Sequence, residues 1–317
     1  MVVLIIMILT LTLFSLYINK REKRSATSFV SEKVLRRLKL KNMHNDESSK
    51  NDAYLAKRMV KNEEPYTLPI KNLAHCKVEL TLLDDIQTII FTPRKRESKA
   101  TIFYLHGGGY VEHASIVHYF FIDAIQKKFP CRVIMPLYPK APAHHAKTSV
   151  DKMKTMYLHV KEESKEPTSV IGDSAGGGLA LAVMQQVVEQ PKEIILISPW
   201  LDISLKNPLI EEVKKIDPLL GVKHLRNMGN VYRGELEERD QRVSPLFGEI
   251  SPLAPLTLFV GTHEIFLPDA RLLKERCEKE GKEVLYIEKE KMMHVYPLFP
   301  MKEGKEAVAI IVGVLER

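Results

Sequence analysis

The sequence predicts an α/β fold built on a mostly parallel, doubly wound sheet, and three observations carry that prediction. Short apolar, β-branched runs alternate with helix-length segments from about residue 78 onward, the signature of strand–helix alternation. Glycine clusters follow two of these runs, at residues 107–109 and 176–178, where three consecutive glycines suit neither strand nor regular surface helix. Residues able to do chemistry, among them Ser174, Glu264 and His294, stand after such runs, and parallel sheets place active groups at the carboxyl ends of their strands.

Composition narrows the class. A chain of 317 residues that is 45% hydrophobic can bury one large core together with a small lid. Cys76, Cys131 and Cys277 are odd in number, widely spaced and without a Cys-x-x-Cys pair, which argues against a disulfide framework or a zinc site and for a reducing compartment. The formal charge of +7 is local. Residues 20–41 hold nine basic side chains against Glu22 and Glu32, which accounts for the whole excess and leaves no basic face for nucleic acid.

Taken in order, residues 1–18 form an uncharged apolar run that would span about 27 Å as a helix, close to a bilayer core. Lys20, Arg21, Lys23 and Arg24 come after the run, opposite to the order in a cleaved export signal, so the run is expected to be a single-pass transmembrane anchor. Positive charge stays on the cytoplasmic side, which predicts a cytoplasmic catalytic domain; an extracytoplasmic or secreted chain is the alternative. Residues 29–41 read as a basic amphipathic helix, suited either to anionic headgroups or to a lid with a solvated face. Residues 42–64 are polar and are expected to link this region to the folded body. The division is therefore an anchor at 1–18, a juxtamembrane and lid segment at 19–72, and a catalytic domain at 73–317.

Sheet is expected from residue 78, with a turn at 92–96 between runs at 88–91 and 100–105. Further strands are predicted at 131–137, 168–172, 193–198, 256–261 and 283–287. The alanine-rich segment 179–188 continues as a buried helix after the glycine cluster, and residues 307–315 form a terminal apolar helix.

The stretch 168–178 is the chemical centre. Its Gly172-x-Ser174-x-Gly176 spacing fits a sharp strand-to-helix turn that pushes a serine hydroxyl to where a base can reach it. It lacks the spacing of a dinucleotide fingerprint and the Gly-Lys-Ser/Thr of a phosphate loop. His106-Gly107-Gly108-Gly109 follows an early strand and exposes backbone N–H groups. With the N–H of Ala175, those of Gly108 and Gly109 are expected to form an oxyanion hole, His106 orienting the loop. Glu264, three residues past the run 256–261, is the expected acid, and Asp269 at the start of the next helix competes with it. His294 follows the last strand and is the expected base. The order Ser174, Glu264, His294 suits a serine, acid and histidine relay.

With these motifs in place, the chain resembles the hormone-sensitive-lipase-like family of bacterial α/β-hydrolases over residues 73–317. The resemblance rests on residues 106–110, 138–142, 172–177, 198–202 and 244–246, and on His294. It implies the α/β-hydrolase fold and hydrolysis of short- to medium-chain carboxylic esters without cofactor or metal. It further implies a lid from amino-terminal helices and an insertion at 200–243, with helices at 209–216 and 222–232. Two features depart from the family pattern: glutamate replaces the usual aspartate at position 264, and an apolar anchor precedes the domain. The anchor points to lipid-like or amphiphilic esters. Amide or formamide cleavage on the same residues, and a non-catalytic membrane interaction protein on a hydrolase scaffold, are the alternatives. Oligomeric state is not legible.

Overall fold

A computed structural model describes residues 12, 13, 15–38 and 48–317. Most of the predicted anchor and part of the predicted linker lie outside the described residues. Among the described residues no helix is long and apolar enough to cross a membrane.

Eight strands form one sheet in the order β1-β2-β4-β3-β5-β6-β7-β8. They are β1 (Cys76–Leu83), β2 (Ile86–Pro93), β3 (Thr101–Leu105), β4 (Arg132–Pro136), β5 (Thr168–Asp173), β6 (Ile194–Ile197), β7 (Leu256–His263) and β8 (Val284–Met293). β1 and β2 form an antiparallel hairpin that joins β4 antiparallel, and every pairing from β4 to β8 is parallel. The central strands β3, β5 and β6 are buried along their whole length and mostly apolar because helices cover both faces. In β3, Phe103 and Leu105 enter one core with Val150, Met153, Leu179 and Leu273, while Ile102 and Tyr104 enter the other with Ile122, Ile125 and Ile311. The two-residue period of a strand sorts its side chains between the layers.

The helices are α1 (Ala26–Leu38), α2 (Ser48–Glu63), α3 (Ile116–Lys128), α4 (Ala146–Glu163), α5 (Ala175–Met184), α6 (Ile210–Val213), α7 (Val222–Arg233), α8 (Leu267–Lys279) and α9 (Lys302–Glu316). Several boundaries differ from the sequence expectation; the terminal helix begins at Lys302 instead of 307, and the last strand runs to Met293 instead of 287. Residues 48–63, expected within a polar linker, form α2, whose Tyr54 and Arg58 both bond Glu112 beside the glycine loop. Its stability comes from that docking, which composition does not encode. The helix after Ser174 runs from Ala175 to Met184 instead of over 179–188, because the turn itself supplies its first residues. The first lid helix is only Ile210–Val213, since Asp217 gathers the N–H groups of Leu219, Leu220 and Ile265 and turns the chain away.

α1 is held to the body by charge. Buried Glu32 ion-pairs with Arg24 and Arg36 and lies 3.2 Å from His263 Nδ1, and Ser25 binds Glu303 through both its N–H and its hydroxyl. Burial alone would raise the Glu32 carboxyl, but hydrogen bonds from His263, Arg24 and Arg36 hold it at about 2.

Candidate active site

The parallel register of β5, β6, β7 and β8 sets four carboxyl ends side by side, and each contributes one group. Ser174 follows β5, Ser198 follows β6, Glu264 follows β7 and His294 follows β8.

Ser174 occupies φ 53°, ψ −123°, a backbone region that costs a non-glycine residue about 1–3 kcal/mol. The fold imposes it: Ser174 N–H donates to the Ile197 carbonyl at 2.9 Å and its own carbonyl accepts from Trp200 N–H at 2.9 Å. The flanking glycines are steric necessities. A Cβ on Gly172 would sit 2.5 Å from the Gly176 carbonyl oxygen, and one on Gly176 would sit 2.0 Å from the Leu105 carbonyl oxygen.

From this turn Ser174 Oγ lies 2.9 Å from His294 Nε2, and His294 Nδ1 lies 2.7 Å from Glu264 Oε2. Glu264 is fully buried, and its other oxygen accepts from Ser198 Oγ at 2.7 Å and from Gly261 N–H at 2.6 Å. Ser198 Oγ also accepts from Val295 N–H at 3.0 Å, so one hydroxyl braces both the acid and the residue after the histidine. With Ser198 Oγ and Gly261 N–H donating to one carboxylate oxygen, the other accepts from His294, which places the imidazole proton on Nδ1. His294 Nε2 is then the acceptor facing the Ser174 hydroxyl. Phe266 meets the imidazole edge-on, with ring centroids 5.1 Å apart.

The glycine loop lies beside the serine. Asp173 Oδ1 accepts from Gly107 N–H at 3.0 Å and from Tyr104 hydroxyl at 2.9 Å, tying the loop to the elbow. His118 Nε2 is 3.2 Å from the same oxygen. Burial pushes the His118 imidazolium down, yet the Asp173 carboxylate more than offsets this and its pKa lies above the ordinary histidine value. Gly108 and Gly109 both have positive φ, at 131° and 61°. Among the described residues no hydrogen bond occupies the N–H groups of Gly108, Gly109 or Ala175, which leaves three donors free at the serine. His106 stacks on Tyr138 at 4.7 Å beneath the loop, and burial drives its pKa well down, so it is a neutral packing residue.

Asp269 is placed elsewhere. It lies in the first turn of α8 and its Oδ1 accepts from Asn207 Nδ2 at 2.9 Å, while burial pushes its carboxyl up to about 7. The structure brings Glu264, and not Asp269, against His294. A glutamate can serve here because it sits three residues past Gly261, whose N–H bends the longer side chain back toward β8.

A cavity of about 480 Å³ opens onto Ser174 and His294, with Leu219, Leu225, Met228 and Leu298 among its apolar walls. α2 and α7 supply two of its sides, through Tyr54 and Arg58 and through Leu225 and Met228. Three contributors were not legible in the sequence: Ser198, Asp217 and the Asp173–His118 pair. Ser198 could have been flagged by its place at the end of a predicted strand, whereas Asp217 and His118 carry no local signal.

The chain matches the family model of the alpha/beta hydrolase fold over residues 102–298, more than half its length, and so belongs to that family. An esterase of Acinetobacter venetianus is 29% identical over 228 residues, covering 68% of this chain and 75% of the relative. An acetyl-hydrolase of Streptomyces hygroscopicus is 29% identical over 225 residues, with the same coverage of 68% and 75%. Among solved structures, a candidate esterase from Staphylococcus aureus superposes with a TM-score of 0.82 at 25% identity, covering 89% of this chain and 99% of that one. Esterases of the bacterial hormone-sensitive lipase family are among the structural neighbours.

Proposed function

We propose that the protein is a serine carboxylesterase or lipase that cleaves short- to medium-chain carboxylic esters through an acyl-enzyme. The observation that carries this reading is the continuous hydrogen-bonded chain from Ser174 Oγ to His294 at 2.9 Å and from His294 to Glu264 at 2.7 Å. Ser174 Oγ attacks the ester carbonyl as its proton passes to His294 Nε2. The imidazolium is stabilised by Glu264, and the carbonyl oxygen becomes an anion facing the N–H groups of Gly108, Gly109 and Ala175. Collapse expels the alcohol, which takes the proton from His294. Water then enters by the same route, giving its proton to His294, and the acid departs as Ser174 regains a proton. No step calls on a metal or cofactor. The apolar cavity walls favour an acyl chain over a charged group, and the names of the relatives point the same way.

The reading also includes a single-pass anchor at residues 1–18 with the catalytic domain on the cytoplasmic side, supported by the order of apolar and basic residues. A fluorophosphonate probe applied to the membrane fraction tests both parts. Wild-type protein is expected to label in the alkaline-washed membrane pellet, and Ser174→Ala to lose the label while remaining folded. Folded wild type that never labels would remove the serine mechanism; labelled protein found only in the supernatant would remove the anchor. An ester series of increasing chain length then separates esterase from lipase.

A further inference from the structure

α1 is partly inside out. Three of its polar residues face the protein: Ser28 and Glu32 are buried, and Arg36 bonds Glu32 and the Ile216 carbonyl. Leu35 packs against the core and Phe29 is half-buried, but three other apolar residues face solvent: Val30 is 45% exposed, Val34 50% and Leu38 57%, spaced four apart and so aligned along one face. A surface helix of a soluble domain normally shows the opposite arrangement. Lys33 and Arg37 are exposed beside this stripe, and Lys20, Arg21 and Lys23 are exposed just before the helix. The acids of the same segment are turned away: Glu32 is buried and Glu22 pairs with Lys291 and Arg24. The outward face of described residues 15–38 thus combines apolar side chains with positive charge and carries no exposed carboxylate.

We infer that the outer face of α1 docks on an anionic bilayer surface, Val30, Val34 and Leu38 entering the headgroup boundary and Lys33 and Arg37 lying among the phosphates. The inference rests on the membrane reading in that the apolar run of residues 1–18 leads into this helix and would hold it at the bilayer. A second copy of the chain would meet the same positive charge on itself, so charge complementarity favours lipid. The docking reaches the active site, because the buried face of α1 is fastened to His263 and Ile216, which adjoin Glu264 and Asp217 in sequence. The bilayer-facing helix is thus bonded to segments that carry the acid and line the cavity, and docking would set the orientation of the cavity to the lipid from which an amphiphilic ester would arrive.

The test uses the full chain with Val34→Cys carrying an environment-sensitive fluorophore. The native cysteines are all buried, so the introduced thiol is the reactive one. Val188→Cys, at a position 96% exposed and far along the chain from α1, is the control. In vesicles of phosphatidylcholine with phosphatidylserine the label at 34 is expected to shift to the blue and to resist an aqueous quencher, while the label at 188 does neither. Lys33→Gln with Arg37→Gln is expected to lower the docked-to-undocked ratio on the order of 25-fold, about fivefold per basic residue. Equal quenching at both positions in anionic vesicles overturns the inference. So does shielding at 34 without vesicles, which assigns the face to a second copy if it grows with protein concentration and to the chain's own residues if it does not. Flotation with vesicles in high salt reports the anchor separately. Shielding in low salt without flotation in high salt would retain the docking and remove the anchor.

Discussion

Replacing Glu264 by glutamine changes one atom of the carboxylate and has a consequence that the geometry fixes. The carboxylate accepts from His294 Nδ1 on one oxygen and from Ser198 Oγ and Gly261 N–H on the other. Glutamine has one oxygen and one NH2. If the oxygen keeps Ser198 and Gly261, the NH2 faces His294 Nδ1 and forces the imidazole proton onto Nε2, so the ring presents a donor to Ser174 where an acceptor is needed. If the amide is flipped, its NH2 confronts two donors in a fully buried site, an arrangement that costs about 1–3 kcal/mol for each group left unsatisfied. The first orientation satisfies more groups and is expected to prevail. The wrong tautomer and the lost charge opposite the imidazolium together lower kcat about 10⁴-fold in a relay of this type, equivalent to about 5.5 kcal/mol. The assay is steady-state hydrolysis of a p-nitrophenyl ester, with 15N NMR of His294 to read the tautomer and thermal unfolding to establish that the variant is folded. A folded Glu264→Gln enzyme within tenfold of wild type would refute the reasoning. Asp269→Asn is the companion: it is expected to keep kcat within a few-fold, and a larger loss than that of Glu264→Gln would move the acid.

Gly108→Ala introduces a Cβ at φ 131°, 2.9 Å from both Cβ and the carbonyl oxygen of Glu112, so the loop must shift; kcat is expected to fall about 100- to 1000-fold as an oxyanion donor moves, with KM changing little. Ser198→Ala removes a bond to the carboxylate and orphans Val295 N–H, and is expected to destabilise the fold by about 2 kcal/mol and to reduce kcat, both recovering in part with Ser198→Thr if the hydroxyl is what matters. Glu32→Gln tests the α1 clamp by pH. The folded carboxyl is depressed from the ordinary 4.5 to about 2, so its contribution is present above the unfolded pKa and is lost as pH falls through the folded one. Unfolding at pH 7 should show Glu32→Gln less stable by about 3 kcal/mol, a gap that closes between pH 4.5 and 2. A gap that persists unchanged at pH 2 would assign the loss to packing and not to charge.

Much of the molecule was legible because its constraints are local. A strand covered on both faces is mostly apolar and β-branched, which made β3, β5, β6 and β7 readable as runs. The elbow was readable because close approach of β5, α5 and β3 leaves no room for a Cβ at Gly172 or Gly176, and steric exclusion of that kind is written into residue type. Chain order then placed Ser174, Glu264 and His294 after β5, β7 and β8. What the order could not decide was which carboxylate meets the histidine, since Glu264 and Asp269 both follow β7 before β8. The decision came from Gly261 N–H, Ser198 and the register of β7 on β8, all contacts between segments distant in sequence. Likewise the basic, amphipathic character of residues 29–41 was visible at once, but not which side of the helix would face inward. Periodicity gives a helix two faces and does not say what each will meet. The partners of Glu32, His263 and Arg24, turned Glu32 inward and left Val30, Val34 and Leu38 facing out. Residue pattern determined the elements and the chemistry they could carry; only long-range packing, which sets distance and dielectric for each group, decided which residues act on one another.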